Sequence, residues 1–275
     1  MALREIDPAI AERVLAEIDR DEVIAFLRQL VRVNTVNPPG DVREASAICR
    51  TRLTAAGFDT TSIAINDLKP NLVARLHQGD GPTLLFNAHL DVVPTGEESA
   101  WTHPPFAAEI ADGRVYGRGA GDDKASVTAQ VMAAVALARA GLPLRGTLIV
   151  NEVADEEVGG IEGAQVIAAD PSITPDFVIV GEQTQNRVCI GERGGAGTIV
   201  TVYGKAAHGA LPWEGVNAIE GMAHVILALQ QELWPRLEQR THPYFHHSSA
   251  SINLIEGGVK TNVVFARDGL VERIV

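Results

Sequence analysis

Apolar residues recur at helical spacing twice near the N-terminus. Ile10, Val14, Leu15 and Ile18 predict a helix over 8–18, and Ile24, Leu27, Leu30 and Val31 a second over 21–33. Asn37-Pro38-Pro39-Gly40 forbids helix and sets a turn. A third helix follows, from Asp41 as cap to Gly57 as stop. Three short β segments come next, over 60–65, 71–77 and 83–88, the last a continuous apolar run expected of a strand covered on both faces. Proline and glycine punctuate 94–119, with Val115-Tyr116 as a candidate short strand. The stretch 124–140 is almost wholly Ala, Val, Met and Leu and predicts a buried helix closed by Gly141 and Pro143. A strand over 147–153, a helix over 161–169 and a strand over 177–180 continue the alternation. Alternating β and α elements imply an α/β fold with right-handed crossovers and a largely parallel central sheet flanked by helices.

The pattern changes near Gly194-Gly195. Residues 198–203 alternate as a half-buried strand, 215–233 form an amphipathic helix, and 251–255 and 260–265 resemble two strands around Gly257-Gly258. A strand-helix-strand-strand run is a separate small α+β unit. The boundary is therefore placed near residue 195, giving domains 1–195 and 196–275, with no internal repeat.

Composition narrows the partners. With 46% hydrophobic and 21% charged residues over 275 positions, the chain is an ordinary globular one with a sizeable core. A formal net charge of -12 argues against nucleic acid, since no basic surplus exists to neutralise phosphates. Apolar stretches such as 131–138 are too short for the roughly 20 residues of a membrane span. The N-terminus MALREIDPAI has no apolar signal core, and Cys49 and Cys189 form no CxxC pair. The expectation is a cytoplasmic protein with two reduced thiols and no membrane partner.

Candidate chemistry lies at the ends of the apolar runs: His89-Leu90-Asp91, Asp122-Asp123-Lys124, Asp155-Glu156-Glu157 and Glu182. In open α/β sheets the functional crevice lies at the carboxyl ends of the strands. Taken singly, each segment has a plainer explanation: a hydrogen-bonded strand-end histidine, acids at a helix N-terminus, a solvated acidic turn. Glu182 after a wholly apolar strand is harder to explain. Four successive sheet exits all bearing acids point to divalent metal, because buried charge is costly unless paired or metal-bound. Carboxylates with few imidazoles suit zinc, with cobalt or manganese as alternatives. Two such ions can supply a hydroxide near neutral pH and polarise a carbonyl, one spare glutamate moving the proton.

HLDVVP, the Trp101, Pro104, Pro105, Phe106 set, YGRGAGDDK, DEE and GEQT occur in an order that closely resembles the M20 metallopeptidase family. That family includes acetylornithine deacetylase, succinyl-diaminopimelate desuccinylase, aminoacylases and glutamate carboxypeptidases. The resemblance spans about 34–264. It implies a zinc-exopeptidase-like catalytic domain with an inserted α+β lid, and two divalent metals. His89 would bind one metal, oriented by Asp91, and Asp122 would bridge both. Glu156 would be the general base, Glu157 a ligand of the second metal and Glu182 of the first. His208, in YGKAAHGALP, would stabilise the oxyanion, often across a homodimer interface. The resemblance also implies a cis peptide between Asp122 and Asp123, where trans is otherwise the default.

Two departures from the family pattern stand out. GEQT replaces the commoner GEPT and keeps the ligand position. After Gly257-Gly258-Val259-Lys260-Thr261-Asn262-Val263-Val264 the resemblance stops, and no histidine follows. Family members complete the lid, return to the catalytic domain and supply a last ligand histidine there. The chain therefore reads as truncated, with an incomplete lid and one ligand missing. The activity implied is hydrolysis of the amide of an N-acyl amino acid (deacetylase or desuccinylase type) by a water bridged by two metals. A glutamate at 182 leans towards deacylases. The alternatives are a carboxypeptidase or dipeptidase acting on short peptides, and an inactive fragment.

Overall fold

The N-terminal periodicity produces helices α1 (Pro8–Leu15) and α2 (Arg20–Val31) in a computed structural model, which describes residues 7–258 and the backbone of 271–274. Asp19 caps α2, its carboxylate accepting the N–H groups of Asp21 and Glu22. The buried stripe of α2 is Phe26, Leu30 and Val31. Helix α3 (Arg43–Ala55) begins after Val42 and buries Ala45, Ser46, Cys49 and Leu53.

Strands β1 (Asp59–Ile63), β2 (Asn71–His77) and β3 (Thr83–His89) follow, then a small hairpin of β4 (Glu109–Ala111) and β5 (Arg114–Tyr116). Next come α4 (Lys124–Arg139), β6 (Thr147–Val153), the short α5 (Ala164–Ala168) and β7 (Phe177–Val180). The five-stranded sheet has the order β1-β2-β6-β3-β7. β3 runs parallel to β6 and β7, while β2 is antiparallel to both β6 and β1, so four of the five strands share one direction. The core is therefore largely parallel, as expected, with β2 reversed. Because β3 pairs His89 with Val153 and Asn87 with Val180, the carboxyl ends of β6, β3 and β7 open at one edge, side by side.

Helices cover the sheet. One face packs Leu72, Leu148 and Val150 against Leu30, Leu53, Val127, Val131 and Val135. The other gathers Val73, Leu85, Ile149 and Val153 with Ile167 and Ile173. Alternation along β6 divides Leu148 and Val150 from Ile149 and Val153, as a pleated strand requires. The four residues of the wholly apolar β7 are each 52–60% exposed, because it forms the edge of the sheet. Within the core, Glu152 on β6 is fully buried and neither carboxylate oxygen has a hydrogen-bond partner among the described residues. Burial pushes its carboxyl well above the usual carboxylate range, and Asp123 pushes it further.

The chain divides into two compact units, Met1–Val188 and Cys189–Val275, ahead of the Gly194-Gly195 break. The second unit contains β8 (Val200–Tyr203), α6 (Ala218–Ala228), α7 (Trp234–Glu238), β9 (Ile255–Glu256) and β10 (Val271–Ile274). β10 lies between β8 and β9, antiparallel to both. The helix expected over 215–233 is shorter and ends in a π-helical turn, Leu229–Leu233, just before Pro235. Proline has no N–H to continue an α-helical ladder there. The expected strand over 251–255 is confined to Ile255–Glu256, and the one over 260–265 lies outside the described residues. Among the described residues no helix is long and apolar enough to cross a membrane.

Candidate metal centre

His89 ends β3 and is only 2% exposed. Its Nδ1 is 2.9 Å from the main-chain oxygen of Asp91, and the nearest Asp91 carboxylate oxygen is 3.6 Å away. The ring is thus held first by the Asp91 carbonyl, with the carboxylate behind it. Nε2 is 3.0 Å from Asp122 Oδ1 and 3.9 Å from Glu156 Oε2. Burial alone would lower the imidazole pKa, but the Asp91, Asp123 and Glu156 carboxylates outweigh it and raise the group to about 10. The surrounding carboxylates thus favour a cation at Nε2, and a metal bound there would take the place of the ring proton.

Asp122 stands at the start of α4, where the GRGAG loop delivers it. The loop needs its glycines: at Gly119 (φ +80°) a Cβ would lie 2.6 Å from Val92 Cγ1. The Asp122–Asp123 peptide is cis, as the resemblance implies. Asp122 Oδ2 accepts a hydrogen bond from Gln183 Nε2 at 3.1 Å, so the glutamine that replaces the family's proline touches the centre. Asp123 occupies the cap position of α4 without capping it. Its Oδ2 instead accepts from the His89 N–H at 3.3 Å, and burial pushes its carboxyl up to about 7. Lys124 is wholly buried, donates to the Val33 carbonyl at 2.7 Å, and is pushed down to about 7 by burial.

Glu182 follows β7. Gly181 permits its placement, since a Cβ there would sit 2.5 Å from Ser126 Cβ on α4. One ligand atom from each of His89, Asp122 and Glu182 lies within 4.8 Å of the other two. Buried imidazole beside clustered carboxylates is a donor set that fits a divalent cation.

Glu156 and Glu157 lie on a single 3₁₀ turn after β6. Asp155, at φ +70°, turns the chain into it, in a left-handed conformation that aspartate tolerates better than most residues. The N–H groups of Glu156 and Glu157 donate to Asp91 Oδ1 and Oδ2 at 3.2 and 3.3 Å. Glu157 Oε1 accepts from the Val93 N–H at 3.2 Å. Burial raises the carboxyl pKa of both Glu157 and Glu182, and the nearby Asp122 charge adds to each. Such crowding is relieved by a cation. The carboxylate of Glu156 is about half exposed.

Sequence reasoning missed the support behind this turn. Lys69, Asn37 and Asp155 form a buried group that ends on the Asp91 carboxylate. Asn37 was visible only as part of a turn, and Lys69 carried no signal in the pattern. His208 belongs to the second unit, where its Nδ1 accepts from the Ala210 N–H at 3.0 Å beside a cavity of about 250 Å³ bordered by Lys205 and Asn217.

An imidazole and carboxylates gathered at aligned strand ends make a candidate site for a divalent cation. The chain belongs to peptidase family M20/M25/M40, whose pattern matches residues 85–270. It is 34% identical over 258 residues to the succinyl-diaminopimelate desuccinylase of Gluconacetobacter diazotrophicus, covering 89% of this chain and 64% of that protein. A probable succinyl-diaminopimelate desuccinylase of Staphylococcus epidermidis is 32% identical over 221 residues, with 80% and 53% covered. The chain thus spans between about half and two thirds of the length of these relatives. The crystal structure of human carnosine dipeptidase 1 shares the fold at a TM-score of 0.66 and 16% identity, covering 96% of this chain and 71% of that one.

Proposed function

We propose that the chain carries the metal centre of a two-metal amidohydrolase that cleaves the amide of N-acyl amino acids, of deacetylase or desuccinylase type. The convergence of His89, Asp122 and Glu182 on one point, with Glu156 beside it, carries this reading. His89 and Glu182 would hold the first ion, Glu157 the second, and Asp122 both. Zinc is the first choice for a site mixing one imidazole with carboxylates, and cobalt or manganese suits the same donors. When bound, the pair supplies a nucleophilic water at neutral pH and polarises the scissile carbonyl.

Glu156 takes the proton from the attacking water and passes it to the departing amine. Its half-exposed carboxylate on a turn whose amide is held by Asp91 suits that role. Asp91 keeps Nδ1 of His89 engaged, which leaves Nε2 facing the site. His208 would donate to the developing oxyanion. In this reading residues 1–195 are catalytic and 196–275 form part of a lid, which serves homodimerisation in full-length members of the family, and the protein is cytoplasmic. The desuccinylase names of relatives at 32–34% identity favour an acyl amino acid over a peptide as substrate.

The test is hydrolysis by the zinc- or cobalt-loaded protein, both as this chain and extended to the length of the relatives, on N-succinyl and N-acetyl amino acids and on dipeptides. Chelator-sensitive release of the free amine from acyl amino acids is expected. Cleavage of dipeptides alone would transfer the assignment to a dipeptidase, and no hydrolysis by the extended protein would remove it.

A further inference from the structure

We propose that Lys69, acting through Asp155 and Asn37, is a positioning residue for the Glu156–Glu157 turn. This inference rests on the reading of that turn as holding the base and a metal ligand. Lys69 is 8% exposed, and its ammonium donates to Asp155 Oδ1 at 2.6 Å and to Glu162 Oε2 at 2.7 Å. The other oxygen of Asp155 accepts the Glu162 N–H at 3.0 Å. The Asn37 amide donates to Asp91 Oδ2 at 2.8 Å and, more weakly, to Asp155 Oδ1 at 3.4 Å. Asp91 in turn receives the N–H groups of Glu156 and Glu157. The turn is gripped at both ends: Asp155 fixes its entry at a left-handed φ, and Asp91 fixes its amides.

Three distant segments meet in this group, from the Pro38-Pro39 turn, the loop before β2 and the exit of β6. They are packed closely: a Cβ on Gly40 would fall 2.9 Å from Asn37 Cγ and 3.0 Å from Lys69 Cε. A lysine buried to this degree is costly unless its charge is matched. Two carboxylates match it here, and one belongs to the residue immediately before Glu156. Removing the ammonium leaves Asp155 a buried carboxylate held, among the described residues, only by the Glu162 N–H and the long Asn37 contact. The Asp155 carboxylate then turns towards water, the left-handed φ relaxes, and the amides of Glu156 and Glu157 slip from Asp91. None of these residues touches the reacting atoms.

Lys69→Met keeps the stem and removes the charge, and Lys69→Arg keeps the charge. Residue-resolved amide exchange on the metal-free protein is the primary measurement. Lys69→Met is expected to speed exchange at Glu156 and Glu157 at least roughly tenfold while Val150 on β6 is unchanged. Cobalt titration followed by its visible absorption should give a roughly 10–100-fold weaker second ion, the usual effect of losing a partner behind a ligand. That loss should vanish in a Glu157→Gln background, and Lys69→Arg should restore both readouts. Unchanged exchange at Glu156 and Glu157, or an equal rise throughout β6, overturns the proposal. If exchange rises as expected while the parent protein takes up only one cobalt, positioning stands and the two-metal reading fails. Should Lys69→Met not fold, Asn37→Ala breaks the same group between Asp155 and Asp91 and carries the same expectations.

Discussion

Glu156→Gln is expected to lower turnover by roughly 10²–10⁴-fold, the range typical of a lost general base, with cobalt uptake nearly unchanged. The substitution removes a proton carrier whose carboxylate stands 3.9 Å from His89 Nε2 and whose backbone is held independently by Asp91. Glu157→Gln, one residue further on the same turn, should instead weaken the second ion, because that carboxylate faces the Asp122 charge in a partly buried position. Paired metal titrations and single-turnover rates on the two variants separate the roles. Equal metal loss from both would exchange or abolish the assignments.

Glu152→Met is expected to stabilise the fold, by about 1–3 kcal/mol at pH 8, since it removes a buried carboxyl without a partner and restores apolar packing of similar volume. The sign follows from protonation. The folded-state pKa of Glu152 is raised, so the native protein retains a proton that the unfolded chain releases above its ordinary value of 4.5. The protonation-linked part of the cost is absent at lower pH and grows as pH rises from there towards the folded-state value, while the unpartnered neutral carboxyl costs stability at every pH. Thermal unfolding should therefore show a small gain for the variant at pH 4.5 and a larger one at pH 8. A gain independent of pH would show that the folded-state carboxyl is not raised, and a loss at pH 8 that Glu152 is paired in the core.

Much of the five-stranded sheet was legible because local pattern and burial agree there. β2, β6 and β7 occupy the expected spans, and α4 ends where Gly141 predicts. The site was legible for a related reason. Parallel register carries the ends of β3, β6 and β7 to one edge, so acids at successive strand exits are neighbours in space. What escaped notice depends on contacts distant in sequence. Lys69 and Asp155 are 86 positions apart, and Asn37 and Asp155 are 118 apart, so no periodicity links them. The reversal of β2 was hidden because β–α alternation suggests parallel neighbours, while β1 and β2 join directly without a helix. The orientation of His89 by the Asp91 carbonyl rather than its nearest carboxylate oxygen is a backbone detail that residue types cannot encode.

The central claim is that one cluster of His89, Asp122, Glu157 and Glu182 holds two ions. Anomalous diffraction at the zinc edge from zinc-loaded crystals tests it most directly. The account predicts two peaks roughly 3.5–4 Å apart, one beside His89 and Glu182, the other beside Glu157, with Asp122 between them. A single peak away from Asp122, or zinc bound only at other residues, would contradict it.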